Sequence, residues 1–163
     1  MIAFLGVDPG LDGALASIRG DGSIVLYDTP TGTVGSKRVM SPIGMLDIVR
    51  KEQDLAENKI VVALERVHAM SPNMKVSPRS MFSFGEGYGM WEMLFAALGI
   101  PVELVTPQRW KGVMLDGMGK EKDASRIKSL QLYPQLIEQL GLKKHHGRGD
   151  ALLIATWRQR IAS

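Results

Sequence analysis

The chain contains no cysteine, which excludes disulfides, thiolate metal sites and cysteine nucleophiles together. Redox chemistry therefore assigns no compartment. No apolar stretch approaches the roughly 18 residues of a membrane span, and no charged leader precedes the apolar run at the start. No low-complexity tract or repeat interrupts a composition that is 45% hydrophobic and 23% charged over 163 residues. The expectation is one domain spanning 1–163, long enough to bury a core. It is expected in a soluble intracellular protein of cytoplasm or organelle stroma, with no membrane partner. One further absence is local: no acid lies between Glu65 and Glu86, while Arg66, Lys75 and Arg79 fall in that interval.

The net charge is +3, and its placement is uneven. Residues 1–100 hold nine Lys/Arg against eleven Asp/Glu, and residues 101–163 hold eleven against six. A basic drift of this kind suits a polyanionic partner. It also describes an ordinary solvated surface, so charge alone leaves both readings open.

Hydrophobic patterning supplies the organisation. Residues 2–8, 13–19 and 23–28 read as three short strands, the last two joined by the tight Gly20-Asp21-Gly22 connection and therefore antiparallel. Residues 29–41 read as a polar loop, and Pro42 to about Gln53 as an amphipathic helix. "KIVVALE" at 59–65 reads as a buried strand. After a loop with Pro72 and Pro78, a helix is expected from about Arg79 to Leu98, ended by Gly99 and Pro101. "VELV" at 102–105 is a strand, and Thr106-Pro107 opens a short helix. Residues 112–120 read as a glycine-broken loop, followed by helices over 122–132, 134–140 and about 148–161. This order predicts an α/β fold of ribonuclease H-like architecture, a mixed five-stranded sheet flanked by helices.

Three carboxylates stand where a core would not place them. Asp8 and Glu65 each terminate an apolar strand, and Asp150 opens an apolar helix. Asp8 alone fits a turn residue, and Asp150 alone an acid favoured by the helix dipole. Glu65, directly after "IVVAL", gains nothing from turn chemistry. If the first and fourth strands are neighbours, Asp8 and Glu65 point to one place and the last helix brings Asp150 across from them. Carboxylates so gathered repel unless cations neutralise them, and hard oxygen ligands suit Mg²⁺ or Mn²⁺. Two such ions roughly 4 Å apart serve phosphodiester cleavage. His146 lies one helical turn before Asp150 and can face the same centre. The adjacent His145 competes for that role, or the pair is simply solvated beside Lys143 and Lys144. His68 reads as a loop residue.

"GVDPGLDGALA", "ALERVH" and "GRGDALLIA", in this order, resemble the RuvC-type Holliday-junction resolvases of bacteria, phages and plastids. "VELVTPQRWKGVMLDGMGKEKDASRI" at 102–127 is similar to that family's strand, turn, lysine, glycine loop and second lysine. The resemblance implies that Asp8, Glu65 and Asp150 are the metal-binding and catalytic acids, with Lys111 and Lys122 beside the DNA backbone. The family usually carries Asp or His three residues before the last acid, where this chain has Gly147. His146 is the natural substitute and completes the expected catalytic and metal set.

Residues 66–90 combine basic, methionine and aromatic side chains. Phe82 and Phe84 are candidates to wedge between base pairs at a branch, or they begin the apolar face of the following helix. Lys75, Arg79, Lys120, Lys143 and Lys144 complete the expected DNA-binding set. Gly85, Gly87 and Gly89, with Met90, Met93 and Leu94, suit close contact with a second copy about a two-fold. The expected function is therefore paired nicking of four-way junctions by a homodimer using two Mg²⁺ or Mn²⁺ ions per site. The rivals are a non-catalytic module that binds branched DNA and a phosphotransferase of actin-like fold. The latter needs two such domains.

Overall fold

Val7 and Leu64 sit side by side at the centre of the sheet, in a parallel pairing that sets the geometry of everything else. The structure, a computed structural model, describes residues 1–66 and 77–162. Strand β1 (Ala3–Asp8) pairs antiparallel with β2 (Ala14–Ile18), which pairs antiparallel with β3 (Ile24–Asp28). On its other side β1 pairs parallel with β6 (Ile60–Glu65), which pairs parallel with β7 (Val102–Val105). The strand order is β3-β2-β1-β6-β7, the expected mixed five-stranded sheet.

The period of two along each strand divides the core into two layers. Leu5, Val7, Leu15, Val62 and Leu64 face helices α1 (Pro42–Leu55) and α2 (Pro78–Ala97), where Met45, Val49, Trp91 and Phe95 are buried. Ala14, Ala16, Ala63 and Val105 face α6 (His146–Ala162). Because both faces are covered, β1 and β6 read as nearly continuous apolar runs rather than alternating ones. Residues 151–157 of α6 are all buried, so this helix carries no polar stripe through its middle.

Gly6 fixes how closely α6 lies on the sheet. A Cβ at this position would stand 2.2 Å from the Ala151 carbonyl oxygen and 2.3 Å from the Ala155 nitrogen. The helix therefore rests directly on the β1 backbone. Asp8, two residues on, leaves the strand toward the same helix.

Three helices begin with a hydroxyl cap followed by proline. Ser41 accepts from the Gly44 N–H, Ser77 from the Ser80 N–H and Thr106 from the Arg109 N–H, with Pro42, Pro78 and Pro107 next. Glu52 ties α1 to the sheet. Its buried carboxylate accepts from the Ser17 hydroxyl at 2.7 Å, the Tyr27 hydroxyl at 2.6 Å and Arg19 at 2.6 and 3.0 Å.

Several boundaries differ from expectation. Residues 29–41 are not a loop: β4 (Thr31–Val34) and β5 (Lys37–Met40) form a separate antiparallel hairpin. All of β4 is exposed, so no buried face marked it in the sequence. Helix α3 (Pro107–Met114) runs into the expected glycine loop, because Trp110 and Met114 bury one face of it. After α4 (Ala124–Leu132), a 3₁₀ turn at Pro134–Leu136 precedes the single-turn α5 (Ile137–Leu140). A second 3₁₀ turn, Lys143–His145, leads straight into α6 at His146, two residues earlier than expected. Among the described residues no helix is long and apolar enough to cross a membrane.

Candidate active site

The register that pairs Val7 with Leu64 makes Asp8 and Glu65 the next residues out of the sheet, side by side at the ends of β1 and β6. Asp8 follows Gly6, and Glu65 follows Ala63, both on the α6 face. Asp150 lies one turn into α6, above them.

The three carboxyls are partly buried and act on one another. Burial pushes the Asp8 carboxyl up to about 8, and the charges of Asp150 and Glu65 push the same way. The Gly10 N–H and the Lys111 ammonium oppose the shift without cancelling it. Glu65 is also raised by burial, held back by a hydrogen bond from the Trp110 indole and raised by Asp150. Asp150 is raised by burial, against a hydrogen bond from Ser125 and the charges of Lys111, His146 and Lys122. Among the described residues, Lys111 is the cation that acts on all three acids. Lys122 and His146 act on Asp150 as well, yet all three carboxyls stay raised.

Among the described residues, no three His, Cys, Asp or Glu side chains close into a metal cage as they stand. The donor chemistry nevertheless fits a divalent ion. Three convergent carboxyls are hard oxygen ligands of the kind Mg²⁺ or Mn²⁺ takes. Each is raised in a direction that a bound cation would reverse.

Two clefts meet at His146. One, of about 470 Å³, has Asp8 on its floor and is lined by Asp12, Lys37, Arg38, Arg79, Phe84 and His146 among others. The other, of about 500 Å³, holds Asp150, His146, Ser125, Lys111, Lys120 and Lys122. Asp8, Arg79 and Phe84 thus line one cleft and Asp150, Lys111, Lys120 and Lys122 the other, with His146 common to both; Glu65 lines neither and joins the acids from the end of β6. His145 is buried at the helix start, where it lines a third hollow with Asp28, Lys144 and Arg148 that borders the first cleft through Asp12, Arg38 and His146. Arg148 is committed to Asp28 through two hydrogen bonds of 2.6 and 2.7 Å. Lys143 is exposed on the 3₁₀ turn, where its charge reaches Asp123.

Gly147 explains why the histidine stands where it does. A Cβ at 147 would come within 2.2 Å of the Asp12 carbonyl oxygen, and 3.1 Å of the Gly13 Cα. No side chain fits at that position, so the nearest side chain before Asp150 on that side of the helix start is that of His146.

Phe82 is 72% exposed on α2, whereas Phe84 is half-buried and its ring packs beside Gly10. Gly85 and Gly89 face open space, but Gly87 is buried against Met40 and the Pro9 carbonyl. Gly87 is therefore unavailable to a second copy. Lys75 and His68 lie outside the described residues. Sequence reasoning missed Lys37 and Arg38, which only the hairpin brings to the cleft, and Trp110 and Ser125, which bond two of the acids. The Gly35-Ser36 pair between two short β-branched runs was the available hairpin signal.

No protein-family model matches the chain. Over 69 residues, 42% of its length, it is 41% identical to the chloroplastic Holliday junction resolvase MOC1 of Chlamydomonas reinhardtii. The chain covers 8% of that protein. In structure it resembles T. thermophilus RuvC in complex with Holliday junction substrate, with a TM-score of 0.59 and 17% identity over 99% of this chain and 95% of that one. A second Thermus thermophilus RuvC structure matches with a TM-score of 0.54, at 17% identity over 99% and 97% of the two chains. The fold is that of RuvC, the ribonuclease H-like mixed sheet.

Proposed function

We propose that the chain is a metal-dependent, structure-selective DNA endonuclease that resolves four-way junctions by paired nicks. One observation carries the reading. The in-register pair Asp8 and Glu65 acts on Asp150 with all three carboxyls raised, and Asp8 and Asp150 line adjoining clefts that carry cations. The resolvase similarity over 69 residues supports it.

Asp8, Glu65, Asp150 and His146 would hold two divalent ions, Mg²⁺ or Mn²⁺. When bound, such ions activate water and stabilise the leaving 3′-oxygen, so that the products carry a 5′-phosphate and a 3′-hydroxyl. The side chains of this protein supply the rest. Trp110 fixes Glu65, and Ser125 fixes Asp150. Lys111, against the acids, and Lys120 and Lys122, along the second cleft, would neutralise phosphates of the strand being cut. Lys75, Lys143 and Lys144 would extend the basic surface, and Phe82 and Phe84 would meet the open branch. Two nicks on opposing strands require two such centres, which a two-fold homodimer would supply.

Asp8→Asn tests the proposal. The variant should bind a four-way junction as tightly as the parent or more so, and should lose cleavage in Mg²⁺. Nicking at close to the parental rate would overturn the assignment of the acids. Lys111→Ala and Lys122→Ala should each lower the salt slope of binding by about one unit.

A further inference from the structure

The hairpin formed by β4 and β5 contributes almost nothing to the core. All four residues of β4 are exposed, as are Lys37 and Arg38 of β5. A two-stranded ribbon of this size is not stable by itself in water, so its order comes from its base. There the Ser41 N–H donates to the Pro30 carbonyl at 2.8 Å. Thr29 is tied to the loop after β1 by its N–H to the Gly13 carbonyl at 3.0 Å and its hydroxyl to the Gly10 carbonyl at 2.9 Å. Met40 is buried against Gly87 of α2. The base is therefore anchored to the turn that follows Asp8 and to the helix that carries Arg79.

This anchoring aims two cations. Lys37 and Arg38 form one wall of the cleft over Asp8, with Arg79, Ser80, Ser83 and Phe84 from α2 opposite. The Lys37 ammonium has no hydrogen-bond or ion-pair partner among the described residues. Arg38 pairs with Asp12, but at side-chain exposures of 53% and 74%. A pair so exposed stabilises a protein by under ~1 kcal/mol and exchanges readily for a phosphate. Asp8 and Asp12 are the only acids that line this cleft. Across His146, the second cleft carries Lys111, Lys120 and Lys122.

We infer that the β4–β5 hairpin is a second DNA-backbone arm. Lys37 and Arg38 take phosphates on the side of the acids opposite Lys111, Lys120 and Lys122, and Asp12 competes with the DNA for Arg38. The inference rests on the nuclease reading above and extends it: the cut strand is gripped on both sides of the acids. The hairpin grips backbone and reads no base, so its contribution is electrostatic and common to any DNA that enters the clefts.

The test is the salt dependence of binding by the full chain to a synthetic four-way junction and to linear duplex, with EDTA present so that nothing is cut. The double variant Lys37→Ala/Arg38→Ala should lower the slope of log K against log salt by about two units on the junction. Lys59→Ala, at the opposite end of β6, should leave the slope unchanged. Asp12→Asn should bind a few-fold more tightly than the parent, because Arg38 is freed. A double variant with the parental slope, in a protein that binds junctions normally, would overturn the arm and leave the nuclease reading standing. An Asp12→Asn protein with parental affinity would overturn the competition for Arg38. Failure of the parent to bind the junction at any salt concentration would overturn both the nuclease reading and this inference.

Discussion

Trp110 donates its indole N–H to Glu65 Oε2 at 2.6 Å, from a ring that is fully buried. The bond fixes the plane of the carboxylate and holds down a pKa that burial and Asp150 push up. Lys111 Nζ lies 5.1 Å from the centroid of the same ring. One side chain thus positions both an acid and the cation next to it. Trp110→Phe keeps the ring and removes the donor, so Glu65 should rise further and hold a cation less well at neutral pH. The expected outcome is a rise of roughly tenfold in the Mg²⁺ concentration for half-maximal cleavage, since partners of metal ligands carry effects of about that size. Direct Mn²⁺ titration by calorimetry should show the same loss. An unchanged Mg²⁺ requirement would reduce Trp110 to a core residue.

The metal-free protein should be strained by its own acids. Asp8 keeps its proton to about pH 8 when folded, against 3.8 for an ordinary aspartate. Its contribution to stability is fully present below the unfolded value and is lost as the pH rises through 8. Glu52 behaves oppositely. Its paired carboxylate is lowered, so it stabilises above its unfolded value of 4.5 and loses that contribution as the pH falls. Between pH 5 and 8, therefore, the Asp8 effect dominates. In EDTA the parent should lose stability across this range, while Asp8→Asn should lose ~2 kcal/mol less, or roughly 4–8 °C in Tm. Mg²⁺ should raise the Tm of the parent at pH 8 and that of the variant much less. Parallel melting curves for the two proteins would contradict this.

The two histidines share one hollow, but only His146 also reaches the clefts that hold the acids. His146 lines both clefts, with Asp8 in one and Asp150 in the other, while His145 turns toward Asp28 and Arg148. His146→Ala should slow single-turnover cleavage by roughly 10- to 100-fold. His145→Ala should leave the rate within a few-fold and act instead on thermal stability. Equal small losses would place both rings outside the chemistry.

Where a buried face marks an element, its place in the sequence is readable. β1, β2, β6 and β7 have bounds within a residue or two of expectation, because each carries core residues at the required spacing. The order of strands then made the meeting of Asp8 and Glu65 predictable. The β4–β5 hairpin carried only the Gly35-Ser36 turn as a signal, since its residues show no alternation of buried and exposed positions. Lys37 and Arg38 went unread for the same reason. Long-range partners were hidden too. Nothing local to Trp110 announces that its indole reaches a carboxylate 45 positions earlier.

Gly6 is the position on which the distance between Asp8 and Asp150 depends. Gly6→Ala would drive a methyl group into the backbone of α6 at Ala151 and Ala155. Overpacking against side chains costs about 1–3 kcal/mol, and here the neighbour is backbone, which cannot rotate away. A loss of more than ~3 kcal/mol is expected in chemical denaturation, together with a loss of cleavage. Parental stability would mean that α6 does not rest on β1 as described.

The proposed activity of the centre formed by Asp8, Glu65 and Asp150 is the cutting of branched DNA. The most direct measurement is incubation of the protein with a synthetic four-way junction and, beside it, linear duplex of the same arm sequence, with Mg²⁺ or with EDTA. Paired, symmetric nicks that yield two intact duplexes are expected for the junction in Mg²⁺, with little cutting of the linear duplex and none of either in EDTA. Equal cutting of both substrates, or no cutting of the junction in Mg²⁺ or Mn²⁺, would contradict it.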